Sequence, residues 1–157
     1  MWIKEYRKTF NSGNRRGALL VLAYRIAHYF TTDWKKYVGF PYIIFYHIII
    51  RWFLSFDIHE KTIIGHNFCV WHCFGISINP KVIIGNNVTI RHNTTIGEKG
   101  NKAPIIGNNV NIGPSCNIIG NIIIGDNSII GIGSTVIKDI PSNVIVAGNP
   151  AKIIKYL

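Results

Sequence analysis

From Ile58 to Val136 an aliphatic residue returns at every sixth position, often followed by Gly and then by two polar residues. Ile106, Ile112, Ile118, Ile124, Ile130 and Val136 share one phase, and Val110, Cys116, Ser128 and Ser134 occupy a second inward position. Upstream, Ile58, Ile64, Val70 and Ile76 keep the same step, and Ile84, Ile90 and Ile96 resume it after a slip of two residues. Each unit predicts one short strand and a turn. Such hexapeptides form a parallel β-helix, with one face of a triangular prism per hexapeptide and one coil per three. Coils then stack at the inter-strand spacing, about 4.8 Å. The aliphatics fill the prism, while Gly and Asn at the corners, as in Asn86-Asn87 and Asn108-Asn109, supply the positive φ of tight turns. A polar low-complexity tract does not fit, because the apolar beat never lapses for long. Residues 97 to 105 carry four extra residues, and repeat arrays extrude insertions as loops on one face, often the binding face.

Before the repeat the pattern changes. Leu19, Leu20, Ala23, Ile26, Ala27 and Phe30 share one helical face, so residues 15 to 30 read as an amphipathic helix. Pro41 is placed to open a second helix, from Pro41 to Phe56, apolar nearly all round. With His47 and Arg51 inside it, that segment is short of the roughly 20 residues a membrane span needs. It is either buried under the first helix and the β-helix or lies in a membrane interface. The expected organisation is a helical segment over residues 1–56 and an all-β solenoid over residues 57–157.

A chain of 157 residues, 48% hydrophobic and 15% charged, is one globular domain by length and composition. No signal peptide is expected, since residues 1 to 14 are polar and no cleavage site follows a suitable apolar core. Three cysteines argue for a reducing cytoplasm and against a disulfide framework. The net charge of +10 is uneven: residues 1 to 61 hold ten of the seventeen Lys and Arg against four acids, and most of the aromatics. Nucleic acid would need a basic motif or stacking platform, and neither is present.

His72 stands two residues after the inward Val70, and Asp57 lies fifteen residues earlier, which puts both near one corner. A carboxylate at hydrogen-bond distance from an imidazole fixes its tautomer and leaves the other nitrogen free to take a proton from a substrate hydroxyl. The alternative is that both are turn residues. His92 follows Ile90 by the same two residues and should sit directly above His72, with Pro114 and Ile132 on the next two levels. His92 either binds substrate or thioester, or is a stacked corner residue. His66, Cys69, His72 and Cys73 suggest a metal cluster, but residues three apart on strand and corner do not converge as zinc requires, so no metal is expected.

Several segments resemble the serine O-acetyltransferases. These are Phe56-Asp57-Ile58-His59, Val70-Trp71-His72, Thr95-Ile96-Gly97 and Ala147-Gly148-Asn149-Pro150-Ala151-Lys152, and the Asp57 to His72 spacing matches that family's catalytic pair. Val21-Leu22-Ala23-Tyr24-Arg25-Ile26-Ala27-His28 and Thr89-Ile90-Arg91-His92 look more like the colanic acid and capsular polysaccharide O-acetyltransferase branch, which extends the likeness to nearly the whole chain. The resemblance implies a left-handed coil, a homotrimer with active sites between subunits, and acetyl-CoA as co-substrate. It also implies His72 as general base, Asp57 as its orienting partner, Gly97, Pro114 and Ile132 along the pantetheine path, and Lys152 near a phosphate.

Two departures bear on the acceptor. Trp71 stands where serine acetyltransferases carry an Asp that holds the amino acid's ammonium, and Lys102-Ala103-Pro104 replaces their Arg-His-Pro run. Losing that counter-charge removes a contact worth about 1.5–3 kcal/mol. An aromatic suits the apolar face of a sugar, so a glycan hydroxyl, free or on a lipid-linked saccharide, is the expected acceptor. A serine acceptor, a γ-class carbonic anhydrase using His72 and His92 on zinc, and a non-catalytic trimeric scaffold are the alternatives. Gly97 stands where the anhydrase's third histidine is expected. Capsule-type repeat units are assembled at the cytoplasmic membrane face, which makes residues 1–56 a candidate for peripheral membrane contact.

Overall fold

A computed structural model of the chain describes residues 2–31 and 34–157. Helix α1 spans Trp2–Asn11, α2 Arg15–Tyr29 and α3 Lys35–Phe45, and α3 continues directly into a π-helix, Tyr46–Phe53. Five coils of strand follow. The first holds β1 (Phe56–Ile58), β2 (Ile63–Ile64) and β3 (Cys69–Trp71), and the second holds β4 (Ile76–Ile78), β5 (Ile83–Ile84) and β6 (Thr89–Arg91). The third holds β7 (Thr95–Gly97), β8 (Ile105–Ile106) and β9 (Asn111–Ile112), and the fourth β10 (Asn117–Ile119), β11 (Ile123–Ile124) and β12 (Ile129–Ile130). The last holds β13 (Thr135–Val136) and β14 (Val144–Ala147), and β15 (Lys152–Tyr156) folds back antiparallel on β14. The strands stack in parallel into the three faces of a left-handed β-helix: β1-β4-β7-β10-β13, β2-β5-β8-β11 and β3-β6-β9-β12-β14.

The hexapeptide beat is the reason for this stack. Ile58, Ile78, Ile96, Ile118 and Val136 stack in register and are buried, as are Ile84, Ile106 and Ile124 on the second face and Val70, Ile90, Ile112 and Ile130 on the third. Ile76, expected in the first row, pairs with Phe56 instead, because the two-residue slip falls before it and not after. At one corner Asn67, Asn87, Asn109, Asn127 and Asn143 all take positive φ. Their amides form a ladder, each Nδ2 donating to the Oδ1 of the next coil at 2.8–2.9 Å. Asparagine suits this corner because it tolerates the left-handed region and repairs the turn with its own side chain. The four-residue insertion forms a small hairpin in which Lys99 and Lys102 exchange backbone hydrogen bonds around Gly100-Asn101.

A solenoid leaves unpaired carbonyls along the outer edge of its first coil, and buried ones must find donors. Here the helices supply them from side chains. The Tyr46 hydroxyl donates to Ile58 O at 2.7 Å, Tyr24 to Thr62 O at 2.5 Å, and Asn14 Nδ2 to Val70 O at 2.8 Å. His28 Nδ1 lies 2.7 Å from Glu60 O, which makes it the protonated nitrogen. Arg25 donates from Nη1 to Ile64 O at 2.7 Å and from Nη2 to Gly65 O. Glu5 of α1 completes the cap, accepting from the Phe68 amide at 2.8 Å and pairing with Arg25 at 3.2 Å.

That cap corrects the helical expectation in two places. The buried face of α2 is Gly17, Ala18, Leu20, Val21, Tyr24, Arg25 and Ala27, whereas Leu19 is 53% exposed and Ala23, Ile26 and Phe30 are half-buried. Polar contacts to the β-helix edge, not apolarity, set the rotation of this helix. Pro41 does not open the second helix, because α3 begins at Lys35 and holds Pro41 inside it. The lost proline N–H lies shortly before the ladder passes to i→i−5 bonding, as in Leu54 N–H to Ile49 O at 2.9 Å. Gly39 is needed where it stands, since a Cβ there would lie 2.2 Å from the Phe30 ring. Helix α1 lies inside the helical segment expected over residues 1–56, in a stretch whose pattern gave it no bounds of its own.

The segment expected to be either buried or at a membrane surface divides by side. Tyr46 and Ile50 are buried, while Phe40, Ile44, Phe45, Ile48, Ile49, Trp52 and Phe53 are exposed. No helix among the described residues is long and apolar enough to cross a membrane.

Candidate functional site

The corner between β3 and β4 carries His72. Trp71 and Ser77 are six residues apart there, whereas their register partners one coil up, Arg91 and Thr95, are four apart, so this corner is two residues longer. The additional length is taken up by left-handed backbone at His72 (φ 57°) and Gly75 (φ 63°). Among the described non-glycine residues with positive φ, all are Asn except Ser55, Ser115 and His72. A histidine held there by the fold is the kind of local strain that clusters at functional sites. His72 is solvent-exposed, and the half-buried Trp71 ring centres 6.4 Å away.

His92 lies on the same corner one coil up, with its ring 5.5 Å from that of His72 and nearly perpendicular to it (83°). Its Nδ1 is buried without a hydrogen-bond partner. Pro114 and Ile132 follow in the same column, tied by Ser115 N–H to His92 O and Gly133 N–H to Pro114 O, both 2.9 Å. Gly97 stands at the other end of β7 from this column, beside Ile119 of β10. Lys152 begins β15 at the far rim, where a cavity of about 150 Å³ is lined by Val136, Ile137, Lys138, Ile140, Pro150, Ala151 and Lys152. The structure therefore gathers His72, His92, Pro114 and Ile132 along one edge and leaves Gly97 and Lys152 apart from it within a single chain.

Asp57 sits mid-strand in β1, in register with Ser77 of β4, the strand that the His72 corner enters. Its carboxylate is not bonded to His72 here. Oδ1 accepts from Arg51 Nε at 2.9 Å, with Nη2 in charge contact at 2.7 Å, and Oδ2 accepts from Ser77 Oγ at 3.3 Å. Arg51 also donates from Nη1 to His47 Nδ1 at 2.8 Å. His47 Nε2 then faces Glu60 Oε2 at 3.1 Å, off-line and without a hydrogen bond. His59 Nδ1 lies 3.4 Å from the same oxygen, and its pKa is pushed down, first by burial, against the pull of Glu60.

Sequence reasoning missed Arg51, His47, Ser55 and Glu60. The available signal was an arginine and a histidine four residues apart inside an otherwise apolar helix, six residues before a carboxylate. Among the described residues no group of three or more His, Cys, Asp or Glu is arranged to hold a metal ion. His66, Cys69, His72 and Cys73 do not converge. Cys73 instead donates to Val70 O at 3.3 Å, and burial pushes its thiol up to about 11.

No family model matches the chain. Against curated proteins it is 38% identical over 151 residues to a protein of Escherichia coli K12 carrying the name colanic acid biosynthesis acetyltransferase WcaB, covering 91% of this chain and 93% of that one. Among solved structures, soybean serine acetyltransferase aligns with a TM-score of 0.79 and 33% identity over 90% of this chain and 58% of its own. A serine acetyltransferase solved in complex with CoA aligns at 0.76 and 30%, over 88% of this chain and 57% of its own. The chain thus spans little more than half the length of those two structures. Near-complete overlap with the first relative, and the shared solenoid with the others, lead to one conclusion: the chain belongs to the hexapeptide-repeat acetyltransferases.

Proposed function

We propose that the chain moves acetyl from acetyl-CoA to a hydroxyl of a sugar in a surface polysaccharide or its lipid-linked precursor. The observation that carries this is the His72 corner, where an exposed histidine on left-handed backbone stands beside an aromatic, Trp71, instead of a carboxylate. A carboxylate there would hold an ammonium, whereas an indole offers a face to the C–H groups of a sugar ring.

In this reading the acceptor hydroxyl gives its proton to the free imidazole nitrogen of His72, and its oxygen attacks the thioester carbonyl. The tetrahedral intermediate collapses with cleavage of the C–S bond. The imidazolium returns the proton to the departing sulfur, so coenzyme A leaves as the thiol. Asp57 orients His72 and stabilises the imidazolium, which requires its Oδ2 to turn from Ser77 toward the ring. His92 binds substrate beside Trp71. Gly97, Pro114 and Ile132 line the pantetheine path of a homotrimer in which a neighbouring subunit closes the groove, and Lys152 meets a phosphate.

The work site in this reading is the cytoplasmic face of the membrane, reached through residues 1–56. Serine as acceptor is the second reading, favoured by the solved relatives. The deciding experiment measures coenzyme A release from purified enzyme and acetyl-CoA with free L-serine or with a polysaccharide repeat unit. Glycan turnover well above serine turnover is expected, and serine turnover equal to that on any glycan overturns the assignment.

A further inference from the structure

The joint between the π-helix and β1 forms an open cleft of about 440 Å³ lined by His47, Arg51, Trp52, Ser55 and Asp57. That volume lies in the range of small-ligand sites. Its walls follow from the π-helix, whose wider turn brings fourth neighbours nearly into line. Tyr46 and Ile50 stack inward, His47 and Arg51 stack toward the β-helix, and Trp52 is left 84% exposed at the mouth. Ser55 closes the joint with left-handed backbone (φ 53°), two residues before Asp57, and Asp57 is in register with Ser77 of the strand that the His72 corner enters. A wide aromatic face, a hydroxyl, an imidazole and a guanidinium thus surround the carboxylate assigned to orient the base.

The charges in this pocket are already matched. The Arg51 guanidinium pairs with Asp57, while His47 is engaged by Arg51 on one nitrogen, and the buried Glu60 lies behind them, 3.9 Å from Arg51. The two charged residues that line the pocket, Arg51 and Asp57, therefore answer each other, and no cation is left for an anionic ligand. A flat, exposed indole beside fixed polar groups suits a ring with one apolar face and hydroxyls around its edge.

We propose that this pocket is the acceptor subsite and that it takes a neutral pyranose, stacked on Trp52, with its reacting hydroxyl directed past Asp57 toward the His72 corner. Uronic acids and free amino acids are disfavoured by the matched charges. The inference rests on the sugar-acetylation reading and names the part of the chain that selects the sugar.

The test uses the full chain in its native assembly with coenzyme A bound. Saturation-transfer NMR is recorded with a panel of neutral methyl hexosides and 6-deoxyhexosides, the corresponding methyl glycosiduronates, and L-serine. At least one neutral glycoside is expected to bind and, when acetyl-CoA replaces coenzyme A, to accept acetyl, with the glycosiduronates weaker. Trp52→Ala should weaken the neutral glycoside about 10-fold, equivalent to about 1.4 kcal/mol, with Trp52→Phe between it and the wild type and the Kd for coenzyme A retained. A Trp52→Ala protein that acetylates a neutral glycoside with unaltered KM, but loses vesicle binding, overturns the subsite and makes Trp52 a membrane contact. Tighter binding of glycosiduronates overturns the neutral class, as does the absence of any neutral glycoside signal in the wild type. Failure of the sugar reading itself shows separately, in the wild type, as acetyl transfer to serine and to no glycoside.

Discussion

Arg51 holds one carboxylate oxygen of Asp57 by an Nε–H hydrogen bond at 2.9 Å and an Nη2 charge contact at 2.7 Å, and so fixes the carboxylate of β1 from the π-helix. Only Oδ2, on Ser77 at 3.3 Å, is lightly held and available to an imidazole. The arrangement makes Arg51 a positioning residue for Asp57.

The kinetic consequence is graded. His72→Ala should lower kcat by at least about 100-fold, the low end for a lost general base, while coenzyme A still binds. Asp57→Asn should lower kcat by the same factor or less. Single-turnover rates for the two variants check both expectations: near-full turnover without His72 removes it from the mechanism, and an unaltered rate in Asp57→Asn removes the dyad alone.

Membrane contact follows from the outer side of the helices. Trp34, Tyr37, Phe40, Phe45 and Phe53 are exposed, with Lys35 and Lys36 on α3. Basic residues near an anionic leaflet contribute roughly 1 kcal/mol each, and aromatics anchor at the interface. Flotation with anionic vesicles should carry the protein upward at low salt and release it at high salt. A protein that stays at the bottom at low salt assigns these side chains to packing between subunits.

Removing one half of the buried Glu5–Arg25 pair should be severe, because both side chains are under 10% exposed and Arg25 also serves two carbonyls of the first coil. Arg25→Met strands Glu5 and is expected to cost about 3–5 kcal/mol. Tyr24→Phe removes one donor to Thr62 O and should cost about 1–3 kcal/mol. Urea denaturation midpoints order the two variants, and equal midpoints would show that the cap is not a buried polar network.

Alkaline pH should weaken the fold. Burial raises the Cys73 thiol from 9.0 to about 11 and raises Tyr24 and Tyr46 as well, so in this range the folded chain holds protons that the unfolded chain gives up. Their contribution is complete below about pH 9, and that of Cys73 is lost as the pH climbs toward about 11. The Tm should therefore fall over that interval, and less steeply in Cys73→Ala. An identical slope in the variant would assign the loss to other groups.

The six-residue beat was enough to determine the solenoid, its inward residues, its asparagine corners and the stacking of His72, His92, Pro114 and Ile132, because each coil contacts only its neighbours. Register there is arithmetic on sequence position. The extruded loop within residues 97 to 105, where Lys99 and Lys102 pair, was legible for the same reason.

The helices were not legible in that way. Apolar residues on nearly every side of α2 and α3 carry no rotation signal, so their orientation is set by which polar side chains meet the open edge of the first coil. Tyr24, Arg25, His28 and Tyr46 face inward for that reason, and Leu19 faces out. The grip of Arg51 on Asp57 depends on the passage from α-helix to π-helix after Pro41, which sequence periodicity does not encode. Local repetition wrote the β-helix into the chain, whereas the contents of the pocket beside Asp57 depend on side chains meeting across elements that share no repeat, and only the tertiary structure decided them.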